Sequence, residues 1–153
     1  MAKVKTGADH LRSLRDGRSV YIDGALVEDV TTHPAFRNAV GSAAALYDYQ
    51  AAPENIEAMT FDVGGGVRAG RAWQMPRSLA EMIERRKALT RIAEYSCGFM
   101  GRSPDHVTSA LLGQRIGLDV FARHREERAR AFAAYYDEAT RNDYFLTYVI
   151  INP

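Results

Sequence analysis

In the stretch GFMGRSPDHV, residues 98–107, Arg102 and His106 bracket the start of a helix. A guanidinium supplies permanent charge and directed N–H donors. An imidazole can accept a proton near neutral pH. Ser103 is placed to cap the helix, with Pro104 at its first position and Asp105 in its first turn. The free backbone N–H groups at such a helix end favour an anion. Together these groups suit an ionising oxygen, phenolate or peroxide-like, with an imidazole in reach of a phenolic proton. The same spacing also describes a plain helix start carrying an exposed arginine and a surface histidine. Spacing alone leaves both readings open.

Other chemistry-bearing residues form no pattern. His10, His33 and His124 are scattered, without His-x-x-x-His or Cys-x-x-Cys spacing for a metal. Cys97 falls on the last turn of an amphipathic stretch, where a small buried core residue is the expectation and a nucleophile the alternative. Trp73 could stack on a planar ligand, and a half-buried strand aromatic is its default. Gly64, Gly65 and Gly66 invite a phosphate-cradle reading, but no Lys-Ser/Thr pair follows and no helix starts directly behind them. A hairpin tip is expected there.

The elements that must position these residues are legible in outline. The chain has 153 residues, about one domain, and 46% of them are apolar, enough for a core. A net charge of +1 gives no nucleic-acid footprint. The single cysteine excludes an internal disulfide and fits a reducing compartment. Neither a signal-peptide core nor an apolar run long enough to span a membrane is visible, so a cytoplasmic protein is expected.

Thr6 predicts a short helix over 6–15, stopped by Gly17. Asp23-Gly24 sits between alternating segments and predicts a type I′ hairpin. A helix follows with Pro34 at its first position, Phe36, Val40 and Ala44 on one face, and Pro53 just past its end. The stretch MTFDVGGGVRAGRAWQMP reads as strand, loop, strand. A capping box of Ser78 and Glu81 opens a long helix with Leu79, Met82, Ile83, Leu89, Ile92 and Ala93 as its apolar stripe, closed by Gly98. Further helices are expected over 118–121 and 124–141, the last with Phe132, Tyr135 and Tyr136 inward and a solvated charged face. NDYFLTYVIINP is β-branched and aromatic and predicts a strand over 143–153. A strand of that kind needs partners for its backbone. The nearby hairpins could supply them; the favoured expectation is that the chain is the front piece of a longer protein, with the rest of a sheet beyond it. The fold class is mainly α with small β-hairpins.

With those motifs in view, the chain resembles the 4-hydroxyphenylacetate 3-monooxygenase family, the oxygenase component of two-component flavin hydroxylases. SLRDGRSVYIDGALVEDVTTHPAFRNAV resembles the family's opening, YSCGFMGRSPDHV its Gly-Arg-Ser-Pro-Asp stretch, and NDYFLTYVIINP its Asn-Asp…Leu-Thr-His…Asn-Pro segment. The motifs run in the family's order over nearly the whole chain. The resemblance implies that 1–153 is the N-terminal helical domain of an acyl-CoA-dehydrogenase-like flavin monooxygenase, with the terminal strand 143–153 leading into a β-domain. It implies FAD, delivered as FADH2 by a separate reductase, O2 as co-substrate, and hydroxylation ortho to a phenol hydroxyl through a flavin C4a-hydroperoxide. It also implies assembly into a homo-oligomer, as dimers of dimers.

By the same resemblance, Arg102 contacts substrate near the flavin, with Ser103, Pro104, Asp105 and His106 beside it. His106 stands where the family often has tyrosine, and Tyr148 where it usually has histidine. The imidazole and the phenol are thus exchanged in place, which makes His106 the candidate proton acceptor and Tyr148 an orienting donor. Tyr148, Val149 and Ile150 are the implied flavin contacts. A related radical dehydratase acting on 4-hydroxybutyryl-CoA needs cluster thiolates, and a single cysteine argues against that chemistry within this segment. The alternative from another class is a non-catalytic helical module that binds a partner through the charged helix 123–141.

Overall fold

The computed structural model describes residues 3–102 and 104–148. Helices dominate, as expected, around two small sheets. Strand β1 (Lys3–Val4) leads into α1 (Gly7–Ser13). Thr6 caps α1 with a reciprocal box: its hydroxyl accepts from the Asp9 N–H at 3.2 Å, and Asp9 accepts from the Thr6 N–H at 3.1 Å. Strands β2 (Val20–Ile22) and β3 (Ala25–Val27) pair antiparallel, Ile22 opposite Ala25. Asp23 and Gly24 both take positive φ, 50° and 80°, as a type I′ turn requires.

Helix α2 (Arg37–Ala51) begins later than Pro34. The proline opens a preceding turn instead, in which the His33 carbonyl accepts from the N–H groups of Phe36 and Arg37 at 3.0 and 2.9 Å. The buried face of α2 is Ala43, Ala44, Leu46, Tyr47 and Gln50. A short α3 (Ile56–Met59) precedes the hairpin of β4 (Thr60–Gly64) and β5 (Val67–Gly70), whose tip is Gly65-Gly66. Strand β1 runs parallel to β5, giving the sheet order β1-β5-β4.

Trp73 does not lie in a strand. It ends a single 3₁₀ turn (Arg71–Trp73) and is 1% exposed. Arg71 ties this turn to α3 by donating to the carbonyls of Ala58 and Glu57 at 3.0 and 2.8 Å.

Helix α4 (Leu79–Tyr95) is capped by Ser78, whose hydroxyl accepts from the Glu81 N–H. Glu81 returns a carboxylate to the N–H of Arg77, one residue outside the usual box. Gly98 closes the helix, its N–H donating to the Ala93 carbonyl at 2.9 Å with φ of 75°. Of the expected inner stripe, Ile92 is buried and Leu89 half-buried, whereas Leu79, Met82, Ile83 and Ala93 are exposed; the other buried position is Ala88. The helix packs on the 3₁₀ turn and α3, and its first turns overhang both. Cys97 is likewise exposed rather than buried, on the left-handed turn (φ 49°) that follows α4.

Helices α5 (Asp105–Ile116), α6 (Leu118–Ala122) and α7 (Glu126–Arg141) complete the chain. On α7, Tyr136 is buried and Phe132 half-buried, but Tyr135 is exposed. Charged α7 residues pair locally at the surface, such as Arg130 with Glu126 at 2.9 Å, as a solvated face requires. No helix among the described residues is long and apolar enough to cross a membrane.

Two apolar clusters form the core. One holds Leu46, Met59, Ala88 and Ile92, the other Trp73, Leu112, Tyr136 and Ala139. The segment after α7 threads between them. Tyr144 and Leu146 pack on the second cluster and Phe145 on the first. The alternation predicted for a strand is therefore present, yet residues 144–148 belong to no ladder. The side chains of residues 144–146 pack on the two core clusters instead. Residues 149–153 of the predicted strand lie outside the described residues.

Candidate functional site

The turn before α5 is held from below. Pro104 is buried and occupies the N-cap position of α5, one residue earlier than expected, without a side-chain cap. Ser103, the expected cap, lies outside the described residues. Thr108, fully buried, donates its hydroxyl to the Pro104 carbonyl at 2.8 Å. Arg85 reaches across from α4, giving hydrogen bonds to the Ala72 carbonyl at 2.8 Å and the Ser109 hydroxyl at 2.9 Å. Burial lowers the pKa of that guanidinium, which the charges of Tyr136 and Asp105 partly oppose. One cation thus joins α4, the 3₁₀ turn and α5.

The expected anion seat at the start of α5 is already occupied by the chain itself. The His106 N–H donates to Asp105 Oδ1 at 2.7 Å, and the Val107 N–H donates to the Arg102 carbonyl at 3.2 Å. What remains for an anion is the Arg102 side chain. It is exposed and makes no hydrogen bond or ion pair with the described residues.

The structure brings His106 and Tyr148 together. Their rings stand edge to face, centroids 6.0 Å apart and planes at 81°. His106 is exposed and Tyr148 half open to solvent, at 52%. Below them, Pro104 meets the other segment, sharing a cavity of about 10 Å³ with Asp143, Tyr144 and Phe145. Pro104 therefore faces the core, and Asp105 spends its carboxylate on the helix end. Arg102, His106 and Tyr148 are the residues of the predicted set that present polar groups outward. Val149 and Ile150 lie outside the described residues. A groove of about 610 Å³ runs between α2, the end of α4 and Phe145, and does not include these three side chains.

The sequence reading missed the anchor of the Tyr148 segment. Asp143 follows α7 in a left-handed conformation, φ 48°. Its carbonyl accepts from the Tyr47 hydroxyl and from Lys5 Nζ at 3.1 Å, and Lys5 also reaches the Asn142 carbonyl at 3.3 Å. The Asp143 carboxylate receives the Gly70 N–H. Gly70 permits this approach: a Cβ there would stand 2.9 Å from Gln50 Oε1 and 3.3 Å from Asp143 Oδ1. Burial pushes the Asp143 carboxyl up to about 6, against the opposing pull of the Gly70 N–H and Lys5. Burial also lowers Lys5, while Asp143 and Asp9 raise it. His10, packed 5.0 Å from the Tyr47 ring, is lowered to about 4 by burial and by Lys5. The only sequence signal for this anchor was the Asn-Asp pair that opens the last motif.

Among the described residues no group of His, Cys, Asp and Glu is arranged to hold a metal ion.

Comparison with known proteins gives this geometry a context. The chain is 40% identical over 152 residues to the 4-hydroxyphenylacetate 3-monooxygenase oxygenase component of Geobacillus sp. (strain PA-9), covering 98% of this chain and 30% of that protein. It is 36% identical over 150 residues to the 4-nitrophenol 2-monooxygenase oxygenase component of Rhodococcus sp., covering 97% of this chain and 28% of that protein. The chain therefore spans about three-tenths of the length of these relatives. The fold matches a crystal structure of the oxygenase component (HpaB) of 4-hydroxyphenylacetate 3-monooxygenase complexed with FAD and 4-hydroxyphenylacetate. The TM-score is 0.79 at 32% identity, over 89% of this chain and 28% of that one. Residues 6–153 match the family 4-hydroxyphenylacetate 3-hydroxylase N terminal, and the chain belongs to that family.

Proposed function

We propose that this chain forms the substrate-facing wall of a flavin-dependent phenol hydroxylase. The observation that carries the reading is the meeting of two distant segments: the turn bearing Arg102 and His106, and the segment bearing Tyr148, with rings 6.0 Å apart. An imidazole and a phenol then stand together at the surface, and the exposed guanidinium of Arg102 lies four positions before the imidazole in sequence.

Each group has a task in this reading. Arg102, unpaired among the described residues, holds the ionising phenol oxygen by charge and directed N–H bonds. His106 accepts the phenolic proton. Tyr148 donates to the same oxygen and orients the ring. These donors fit a phenol or the polar edge of a flavin, and Tyr148 is the described residue that would face FAD. FAD, supplied as FADH2 by a separate reductase, brings the reaction with O2 that places an OH ortho to the phenol oxygen. The rest of a protein of the relatives' length covers the open face and excludes water. Such proteins assemble as homo-oligomers and work in the cytoplasm.

The test is hydroxylation by the whole protein supplied with FADH2 and oxygen, using 4-hydroxyphenylacetate and 4-nitrophenol as probes. Formation of the ortho-hydroxylated product from either phenol supports the reading. Oxygen consumption with no hydroxylated product from a broad phenol panel sinks it.

A further inference from the structure

The segment that carries Tyr148 is held at Asp143 and reaches the surface at Thr147 and Tyr148. At Asp143 it is gripped from three separate elements: Lys5 from the turn between β1 and α1, Tyr47 from α2, and Gly70 from β5. Tyr47 grips twice, since its ring also meets Phe145 edge-on, 6.5 Å away at 61°. Thr147 and Tyr148 are exposed, and the Tyr148 ring meets His106.

This arrangement gives the grip leverage. Asp143 stands at φ 48°, a region that L-residues seldom occupy. Relaxation to an ordinary helical φ would turn the chain by about 110° at that point. Tyr148 lies five positions downstream, and each residue advances the chain by up to about 3.3 Å. Tyr144, Phe145 and Leu146 pack on the two cores and resist such a turn, so a loss of constraint at Asp143 shifts the phenol against His106 without releasing the segment.

We infer that Lys5 and Tyr47 are positioning residues for Tyr148: by holding the Asp143 carbonyl they set where the phenol stands against the His106 imidazole. The lowered pKa of Lys5 agrees with an ammonium drawn out of water for this purpose. The placement rests on geometry alone, and its consequence for phenol binding rests on the function proposed above.

The test reads His106 directly. This chain is labelled with ¹³C at histidine, and the His106 ring signals are followed by NMR in the parent, Tyr148→Leu, Tyr47→Phe, Lys5→Met and Lys5→Arg. Tyr148→Leu removes the neighbouring ring current and defines the full displacement. Tyr47→Phe keeps the ring and loses one hydroxyl, so the fold survives. It should move the His106 signals at least half as far as Tyr148→Leu does, as should Lys5→Met. Lys5→Arg should restore the parent position. Tyr136→Phe is the control, because it removes a buried hydroxyl bond to the Trp73 carbonyl in the cluster on which Tyr144 and Leu146 pack, while the donors to the Asp143 carbonyl stay in place. It should leave His106 where it was.

Unchanged His106 signals in a folded Tyr47→Phe chain would overturn the inference, as would an equal shift in Tyr136→Phe. In the whole protein, Tyr47→Phe should raise KM for the phenol about tenfold, and that loss should vanish in a Tyr148→Leu background. An additive loss would also overturn it. A parent protein that hydroxylates no phenol removes the reading of the previous section, while the NMR comparison still decides this one.

Discussion

The imidazole of His106 and the phenol of Tyr148 meet edge to face at 6.0 Å, although their segments are separated by the whole of α5, α6 and α7. Pro104 and Phe145 line a common cavity beneath them, so the two segments share a floor as well as a contact. The exchange of imidazole and phenol that the family resemblance implies would thus lie between residues that touch. A swap between touching groups can preserve the chemical inventory of a site.

That proximity predicts coupling in the whole protein. Arg102→Ala should lower kcat/KM for the phenol about a hundredfold, the loss expected when a preorganised donor to a charged oxygen is removed. His106→Ala should lower it by a similar factor, as for a general base. The double exchange His106→Tyr with Tyr148→His should retain more activity than either single change. If His106→Ala turns over normally while Arg102→Ala is dead, the proton-accepting role of His106 is wrong.

Two buried groups give opposing pH dependences. The carboxyl of Asp143 rises from its ordinary 3.8 to about 6, so the native state holds its proton more tightly. Its contribution to stability is full below 3.8 and is lost as pH rises to about 6. His10 falls from 6.5 to about 4, so its contribution is full above 6.5 and is lost as pH falls to about 4. Lys5, Tyr47 and the Gly70 N–H face Asp143, and Lys5, Tyr47 and Phe145 face His10. Between pH 4 and 6 the slopes offset in the parent. Asp143→Asn should unmask a stability that declines toward acid, and His10→Gln one that declines toward neutrality. Urea midpoints across this range check both, and a profile unchanged by Asp143→Asn would refute the assignment.

The Trp73 cluster should be the more fragile core to truncation. Trp73 is 1% exposed and its carbonyl receives the Tyr136 hydroxyl at 2.6 Å. Tyr136→Phe leaves that carbonyl without this donor and should cost about 1–3 kcal/mol. Trp73→Ala should cost about 3–5 kcal/mol through the cavity it opens. Chemical denaturation measures both, and the order of the two losses is the diagnostic result.

Gly7 is required by a close crossing of α1 and α2. Its N–H donates to Asp48 Oδ1 at 2.8 Å, and a Cβ on it would stand 2.5 Å from the Ala44 carbonyl oxygen. The helices must part to admit a methyl, so Gly7→Ala should destabilise by about 1–3 kcal/mol. A thermal midpoint equal to the parent's would show that the crossing is softer than this geometry implies.

Sequence alone determined what neighbouring residues decide among themselves. Thr6 with Asp9, Ser78 with Glu81, Asp23 with Gly24, and Gly98 after α4 each set a cap or turn through bonds that span a few residues. The motifs around Arg102 and Asn142-Asp143 were also visible, because side-chain type and order can be read without a fold. Tertiary structure decided which side of each element meets another. Periodicity put Leu79, Met82 and Ile83 on one face of α4, but only packing left that face in solvent while Ala88 and Ile92 went inside. Alternation in residues 144–146 was readable, yet whether it met a ladder or two helical cores depended on what lay to either side. The grip of Lys5 on Asp143 spans 138 positions and had no local signature. Contacts of that kind arise from burial of the whole chain, where a single ammonium finds carbonyls at the end of a helix it never neighbours in sequence.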